Sequence, residues 1–184
     1  MKYLKLGSIF VFLNIMFCSF NTSADDKLNS FLDHLDLDSY VKLMEHQNSL
    51  CTVYGFTSNH YNETYRLFDK IEKGSYLAFM LGLDIEPCLD GGVRGDLYRS
   101  LGLFYEHAPV VYISSSFSKG WSLKKISKPL NALPLSLVDE FELQANRLLH
   151  RQKLARGLGN VIDKQILASL LDSLSESINL RINN

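Results

Sequence analysis

Hydrophobic positions recur every three to four residues along most of the chain, which is the spacing of amphipathic helices. Shorter stretches of this kind begin near Leu28, Tyr40 and Leu97. The longest apolar line is in the last segment and consists of Ile162, Ile166, Leu170, Leu174 and Ile178. The pattern predicts a mainly α protein, a single helical domain of five or six helices over residues 25–184.

Small polar residues and glycines mark the expected helix ends. Asp38 is placed to cap a helix that starts at Ser39, and Ser136 and Asn160 are placed to cap the last two helices. Gly157 is expected to end the helix that Ser136 begins, since glycine favours the position after a helix.

Three segments depart from the helical pattern. Residues 84–95 are rich in glycine and predict a linker, and residues 114–134 predict one long irregular loop because they carry three serines, a glycine and two prolines. Val110–Ile113 is rich in β-branched residues and predicts a strand. An extended core segment or a helix start is the alternative for Val110–Ile113.

The N-terminus has the three parts of a secretory signal peptide. Lys2 and Lys5 are basic, residues 6–20 are almost wholly apolar, and small residues end at Ala24. We expect residues 1–24 to be a cleaved signal peptide, with an uncleaved anchor as the alternative. Cys18 follows Phe17 rather than a small residue, so we expect no lipid attachment and loss of Cys18 with the signal.

The composition of the chain is that of a globular protein and excludes a disordered or collagen-like one, since 46% of the 184 residues are hydrophobic and 21% charged. Loss of Lys2 and Lys5 with the signal would take the formal net charge from −1 to −3. A nucleic-acid partner is not expected, because such proteins carry a strong basic surplus. No segment after the signal is apolar for long enough to span a membrane.

Two cysteines, Cys51 and Cys88, would remain in the mature chain. In an oxidising compartment an even pair is most simply a disulfide, and two separate buried thiols are the alternative. The short lysine-led signal favours a bacterial source. The predicted location is therefore the periplasm or the medium.

Catalytic signatures are absent from the sequence, and we predict no catalytic residue, metal ligand or cofactor. The five histidines lack metal-ligand spacing, and Ser114–Ser116 lacks the GxSxG context of a nucleophile. Asp84, Glu86 and Asp90 form an acidic stretch that is more typical of a solvated loop than of a calcium site.

Aromatic and lysine residues alternate in the predicted loop, a composition suited to binding an acidic protein surface. The predicted partner-binding residues are Phe117, Lys119, Trp121, Lys124 and Lys125. The alternative is that both aromatic side chains fill the core while the lysines face water.

Together these features predict an exported, non-catalytic binding protein with a protein partner, such as an inhibitor or a toxin-immunity factor. Two other classes remain open. One is an envelope enzyme, hydrolase-like, whose site is dispersed along the sequence. The other is a structural or assembly factor of the cell envelope, with a homodimer formed through the last helix.

Overall fold

The computed structural model describes residues 26–45, 51 and 61–183. These residues contain nine α-helices and no strand, which confirms the mainly α prediction. The helices are α1 (26–34), α2 (Leu37–Met44), α3 (Tyr61–Glu72), α4 (Tyr76–Ile85), α5 (Gly91–His107), α6 (Pro109–Ser118), α7 (Leu123–Asn131), α8 (Phe141–Gly157) and α9 (Lys164–Ile182). The expected number of five or six helices was therefore too low.

The chain divides into two compact units at residues 66 and 67, inside α3. In the first unit, α1 and α2 are joined at Leu35, and Asp36 caps α2 by accepting a hydrogen bond from the Ser39 amide at 2.7 Å. The cap is thus two residues earlier than predicted. Arg66 donates to Asp33 at 2.5 Å, which ties the start of α3 to α1. The signal-peptide prediction lies outside the described residues.

Helix α5 is the centre of the second unit and packs against α4, α6, α7 and α8. Phe79 and Phe104 stack with ring centroids 4.1 Å apart, and Tyr105 meets Tyr112 edge-on at 5.5 Å. Helix α9 packs along α8 and α7. Its predicted apolar line supplies buried side chains at Leu170, Leu174 and Ile178.

The strand predicted at Val110–Ile113 is wrong, since these residues form the first turns of α6. Pro109 lies in the first turn, where a proline's missing N–H costs nothing and its fixed φ suits a helix. Tyr112 and Ile113 face the core, whereas Val110 and Val111 face outward. Burial of one side of the segment, rather than β propensity, decides its conformation.

The long irregular loop at 114–134 is also wrong. Helix α6 continues to Ser118, and α7 begins at Leu123 after a short turn in which Gly120 has a φ of 74°. Ser122 caps α7 by accepting a hydrogen bond from the Lys125 amide at 3.3 Å. The turn residues that suggested one long loop therefore serve a tight connection between two helices.

Three more boundaries differ from the expected ones. Helix α8 begins at Phe141, so Ser136 does not cap it. Helix α5 begins at Gly91 rather than near Leu97, because Asp90 caps it by accepting from the Val93 amide at 2.9 Å. Helix α9 is capped by Asp163 instead of Asn160. The predicted end of α8 at Gly157 is confirmed.

Cys51 and Cys88 are disulfide-bonded, which confirms the predicted pair. Within residues 26–45, 51 and 61–183, no helix combines the length and the apolar character that crossing a bilayer requires.

Candidate functional site

The five predicted partner-binding residues lie where α6 meets α7. Phe117 is in the last turn of α6, Lys119 and Trp121 are in the connection, and Lys124 and Lys125 are in the first turn of α7. The structure brings them to one end of this helix pair but gives them different surroundings. Their role in binding a partner stays a prediction.

Trp121 is a core residue, with 5% of its surface exposed. Its ring meets Tyr98 edge-on at 6.4 Å, and the Lys125 ammonium lies 4.4 Å from the ring centroid. Its amide donates to the Ser116 carbonyl at 3.0 Å, which fixes the turn. The alternative that the aromatic side chains fill the core therefore describes Trp121, whereas Phe117 keeps 36% of its surface exposed.

Lys119 and Lys125 each form an ion pair with a carboxylate at the end of α4. The ammonium of Lys119 lies 2.5 Å from Asp84, and that of Lys125 lies 2.5 Å from Glu86. Only 4% and 5% of the two acidic side chains are exposed, so the solvated-loop interpretation is wrong for this pair. Sequence reasoning missed these partners because they lie 35 and 39 positions away along the chain.

Glu86 is held in its ionised form by several donors. Burial alone would raise its pKa, but hydrogen bonds from Lys125 and Tyr98 and the nearby charge of Arg94 hold the pKa of Glu86 below its usual range. Tyr98 donates to Glu86 at 2.6 Å, and burial together with that carboxylate raises the pKa of the Tyr98 hydroxyl. The cluster joins α4, α5 and α7 electrostatically.

The side chains left exposed at this junction are apolar, cationic or serine side chains. Helix α6 contains no charged residue, and its outer face presents Val110, Val111 and Phe117. Lys124 is exposed one turn into α7. We call these four residues the α6 face. An apolar face beside an exposed cation is the part of the prediction that the geometry still permits.

A second polar cluster lies inside the unit, around Glu106. Arg147 donates to both carboxylate oxygens of Glu106, at 2.9 and 2.7 Å, and the Nε of Arg151 donates at 2.7 Å. Arg151 is fully buried. The sequence gives no sign of this cluster, because Glu106 is more than 40 positions from both arginines and no motif relates them.

Two of the described histidines form hydrogen bonds to backbone carbonyls. His107 donates from Nε2 to the Glu72 carbonyl at 3.0 Å, and His34 donates from Nδ1 to the Ser30 carbonyl at 2.8 Å. In the part of the chain that the structure describes, no three His, Cys, Asp or Glu side chains come together as a metal site would need. His46 and His60 lie outside the described residues.

Comparison with known proteins does not identify a family for the chain. No family model, no curated protein and no solved structure matches the chain.

Proposed function

We propose that the protein is an exported, non-catalytic binding protein that uses the α6 face to hold an acidic protein partner, in the manner of an inhibitor or a toxin-immunity factor. The observation that carries the proposal is the exposure of Val110, Val111 and Phe117 on a helix without charged residues. Apolar side chains grouped on one exposed face lose water favourably when a partner covers them.

Charge around the α6 face favours an acidic partner. The segment from Lys119 to Lys128 carries four lysines, and among the described residues only Asp84 and Glu86 pair with them through a salt bridge. The surplus is positive although the whole chain is slightly acidic. Such a local surplus speeds encounter with a negatively charged surface and disfavours basic ones.

Trp121 takes a supporting role in this proposal. It is buried below Lys125 and beside Tyr98, so it fixes the geometry of the connection instead of contacting the partner. Phe117 and Lys124 then become the central contacts, because an exposed aromatic ring beside a cation is typical of the residues that dominate interface energies.

Export agrees with the disulfide, since such bonds persist in oxidising compartments. We propose a periplasmic or secreted location after removal of residues 1–24. N-terminal sequencing of the protein recovered outside the cytoplasm should begin at Asp25. An unprocessed Met1 on membrane-associated protein would contradict this part of the proposal.

Site-specific photocrosslinking tests the proposed surface. A photoreactive phenylalanine analogue at position 117 should form a crosslink to an acidic protein, and the same analogue at Val161 should not, because Val161 is more accessible than Phe117 but distant in sequence from the α6 face. The captured protein is then purified for a binding measurement with defined variants.

Binding of the purified partner should fall at least tenfold for Phe117→Ala with Lys124→Glu, and the difference from the wild type should shrink at high salt, because salt screens the charge contribution of Lys124. The matched control, Val161→Ala with Lys153→Glu, changes an exposed apolar side chain and an exposed lysine elsewhere and should bind normally. Equal binding by both double variants would overturn the assignment of this surface. A crosslink only to a second copy of the chain would favour the assembly-factor alternative instead.

A further inference from the structure

A cleft of about 350 Å³ opens on the second unit, and none of the predicted partner-binding residues is in its lining. One wall is the first turns of α5, the opposite wall is the connection between α7 and α8, and the end of α9 closes one side. Its volume lies in the range of small-ligand sites. The residues that matter for its chemistry are Arg99, Asn131, Leu135, Val138 and Arg181.

Two arginines line the cleft, and no carboxylate does. Arg99 donates through Nη1 to Asp96, which lies outside the lining. Arg181 has no carboxylate partner among the described residues, and its only hydrogen bond there runs from Nη1 to the Ser177 carbonyl at 3.2 Å. Two guanidinium groups and one carboxylate leave a local charge of one, which a single monoanion would balance.

Unsatisfied polar atoms are present at the same place. Within the described part of the chain, the buried Nε of Arg181 has no acceptor and the buried Oδ1 of Asn131 has no donor. The Nδ2 of Asn131 is already bound to Ser127 and Ser173, so its oxygen is the atom left over. Buried polar groups without partners are rare in proteins. A ligand that supplies an acceptor for the Arg181 Nε and a donor for the Asn131 Oδ1 would satisfy both atoms.

Most of the remaining lining is apolar, and its outer edge is accessible. Leu135 and Val138 have 61% and 56% of their surfaces exposed, and Leu133 and Pro134 lie between α7 and this edge. Gln144 holds the wall in place, because its Nε2 donates to the carbonyls of Leu137 at 2.6 Å and Val138 at 2.8 Å. A wall that hydrogen bonds hold in place is suited to a preformed site.

We propose that this cleft binds a monocarboxylate that carries an N–H donor and an apolar body, as an N-acyl amino acid or the C-terminus of a peptide does. The carboxylate faces Arg99 and Arg181, the N–H faces Asn131, and the apolar body lies on Leu135 and Val138. The inference does not depend on the α6 face, so each proposal stands or fails separately.

NMR titration of the full mature protein with N-acetylleucine tests the proposal. We expect amide shifts confined to the cleft residues, and no such shifts with N-acetylleucine amide, which lacks the charge. An acetylated tripeptide ending in leucine, with a free or an amidated C-terminus, distinguishes the two sources. Tighter binding of the free peptide assigns the site to a chain terminus, and binding of N-acetylleucine alone assigns it to a small acid.

Variants locate the site. Arg181→Gln should weaken binding about tenfold or more, because it removes a charge-assisted contact. Arg156→Gln is the matched control, since Arg156 is exposed, its side chain donates to Gln152, and it lies outside the cleft. Val138→Glu keeps an exposed position and adds a repelling charge, so it should also abolish binding, even if Arg181→Gln should fail to fold.

Three results would overturn the proposal. No shift at the cleft with either carboxylate, equal shifts with the neutral amides, or unchanged affinity in Val138→Glu would each show that the cleft does not recognise a carboxylate.

Discussion

The buried guanidinium of Arg151 links three helices of the second unit. Its Nη1 donates to the carbonyls of Leu130 at 2.8 Å and Ala132 at 2.7 Å, at the C-terminal end of α7, while its Nε reaches Glu106 on α5. Carbonyls at a helix end lack partners within the helix, so a cation from α8 completes them. Without Glu106 this buried charge would have Arg147 as a repelling neighbour and no counter-ion.

Glu106→Gln should therefore destabilise the protein by about 3–5 kcal/mol, since it leaves Arg151 buried and unpaired. The measurement is urea unfolding at neutral pH. Asp69→Asn is the control, because Asp69 pairs with Lys73 on the surface, where such pairs contribute less than about 1 kcal/mol. A similar loss in both variants would contradict the assigned role of Arg151.

The pH dependence of stability gives a second measurement on Glu106. Burial would raise its pKa, but Arg147 and Arg151 hold the pKa of Glu106 below the ordinary 4.5. A carboxyl whose pKa is lowered by folding stabilises the protein above its unfolded pKa and loses that effect as the pH falls through its folded pKa. We expect wild-type stability to fall more steeply below pH 4.5 than that of Glu106→Gln, and parallel curves would refute this.

Gly102 is required by the close approach of α7 and Arg151 to α5. A Cβ at this position would lie 2.4 Å from the Pro129 carbonyl oxygen and 2.9 Å from the Arg151 guanidinium. Gly102→Ala should cost about 1–3 kcal/mol or more in thermal unfolding. Gly95→Ala, in the same helix with nothing within 4 Å, should instead stabilise by about 0.4–1 kcal/mol. Equal signs for the two changes would contradict this packing.

At the scale of the elements, periodicity predicted those helices whose apolar face is regular. The line through Leu170, Leu174 and Ile178 found α9 because every fourth residue is buried. The same reasoning failed at α6, where serines lie on the buried face and valines on the exposed face, so that the polar–apolar contrast between the two faces is weak. It failed again after Ser118, since glycine and proline content does not distinguish a long loop from a tight turn followed by a helix.

The candidate site shows a further reason why sequence was insufficient. Alternation of aromatics and lysines between 117 and 125 predicted one exposed surface, but burial separates Trp121 from Phe117 only four positions away. Lys119 and Lys125 are drawn to Asp84 and Glu86, which sequence spacing does not relate to them. Ion pairs between distant segments follow from the tertiary fold, and no local pattern encodes them.

The α6–α7 connection should respond very differently to its two aromatic residues. Trp121→Ala removes a buried ring with contacts to Tyr98 and Lys125, so it should destabilise the protein by about 3–5 kcal/mol. Phe117→Ala removes a ring that is partly exposed and should cost far less, about 1 kcal/mol. Chemical denaturation of both variants measures the difference, and a larger loss for Phe117→Ala would place that ring in the core.

At the scale of the whole molecule, the local charge at the two proposed sites is opposite in sign to the net charge of the chain. The chain has a formal net charge of −1, yet Lys119, Lys124, Lys125 and Lys128 crowd one junction and two arginines line the cleft. Both proposed sites would therefore favour negatively charged groups, although the molecule is weakly acidic overall. Solubility depends on the total charge, whereas recognition depends on these local surpluses.

The Cys51–Cys88 disulfide contributes to the stability of the whole molecule, and the sequence predicted it directly. It closes a loop of about 37 residues, so the entropy it removes from the unfolded chain corresponds to about 4 kcal/mol. We expect a reductant to lower the free energy of unfolding by about 2–4 kcal/mol in urea titrations. The double variant Cys51→Ser, Cys88→Ser should match the reduced protein and ignore the reductant. If its stability equals that of the oxidised protein, the unfolded chain gains little freedom when the bond is lost, and the entropic account is wrong.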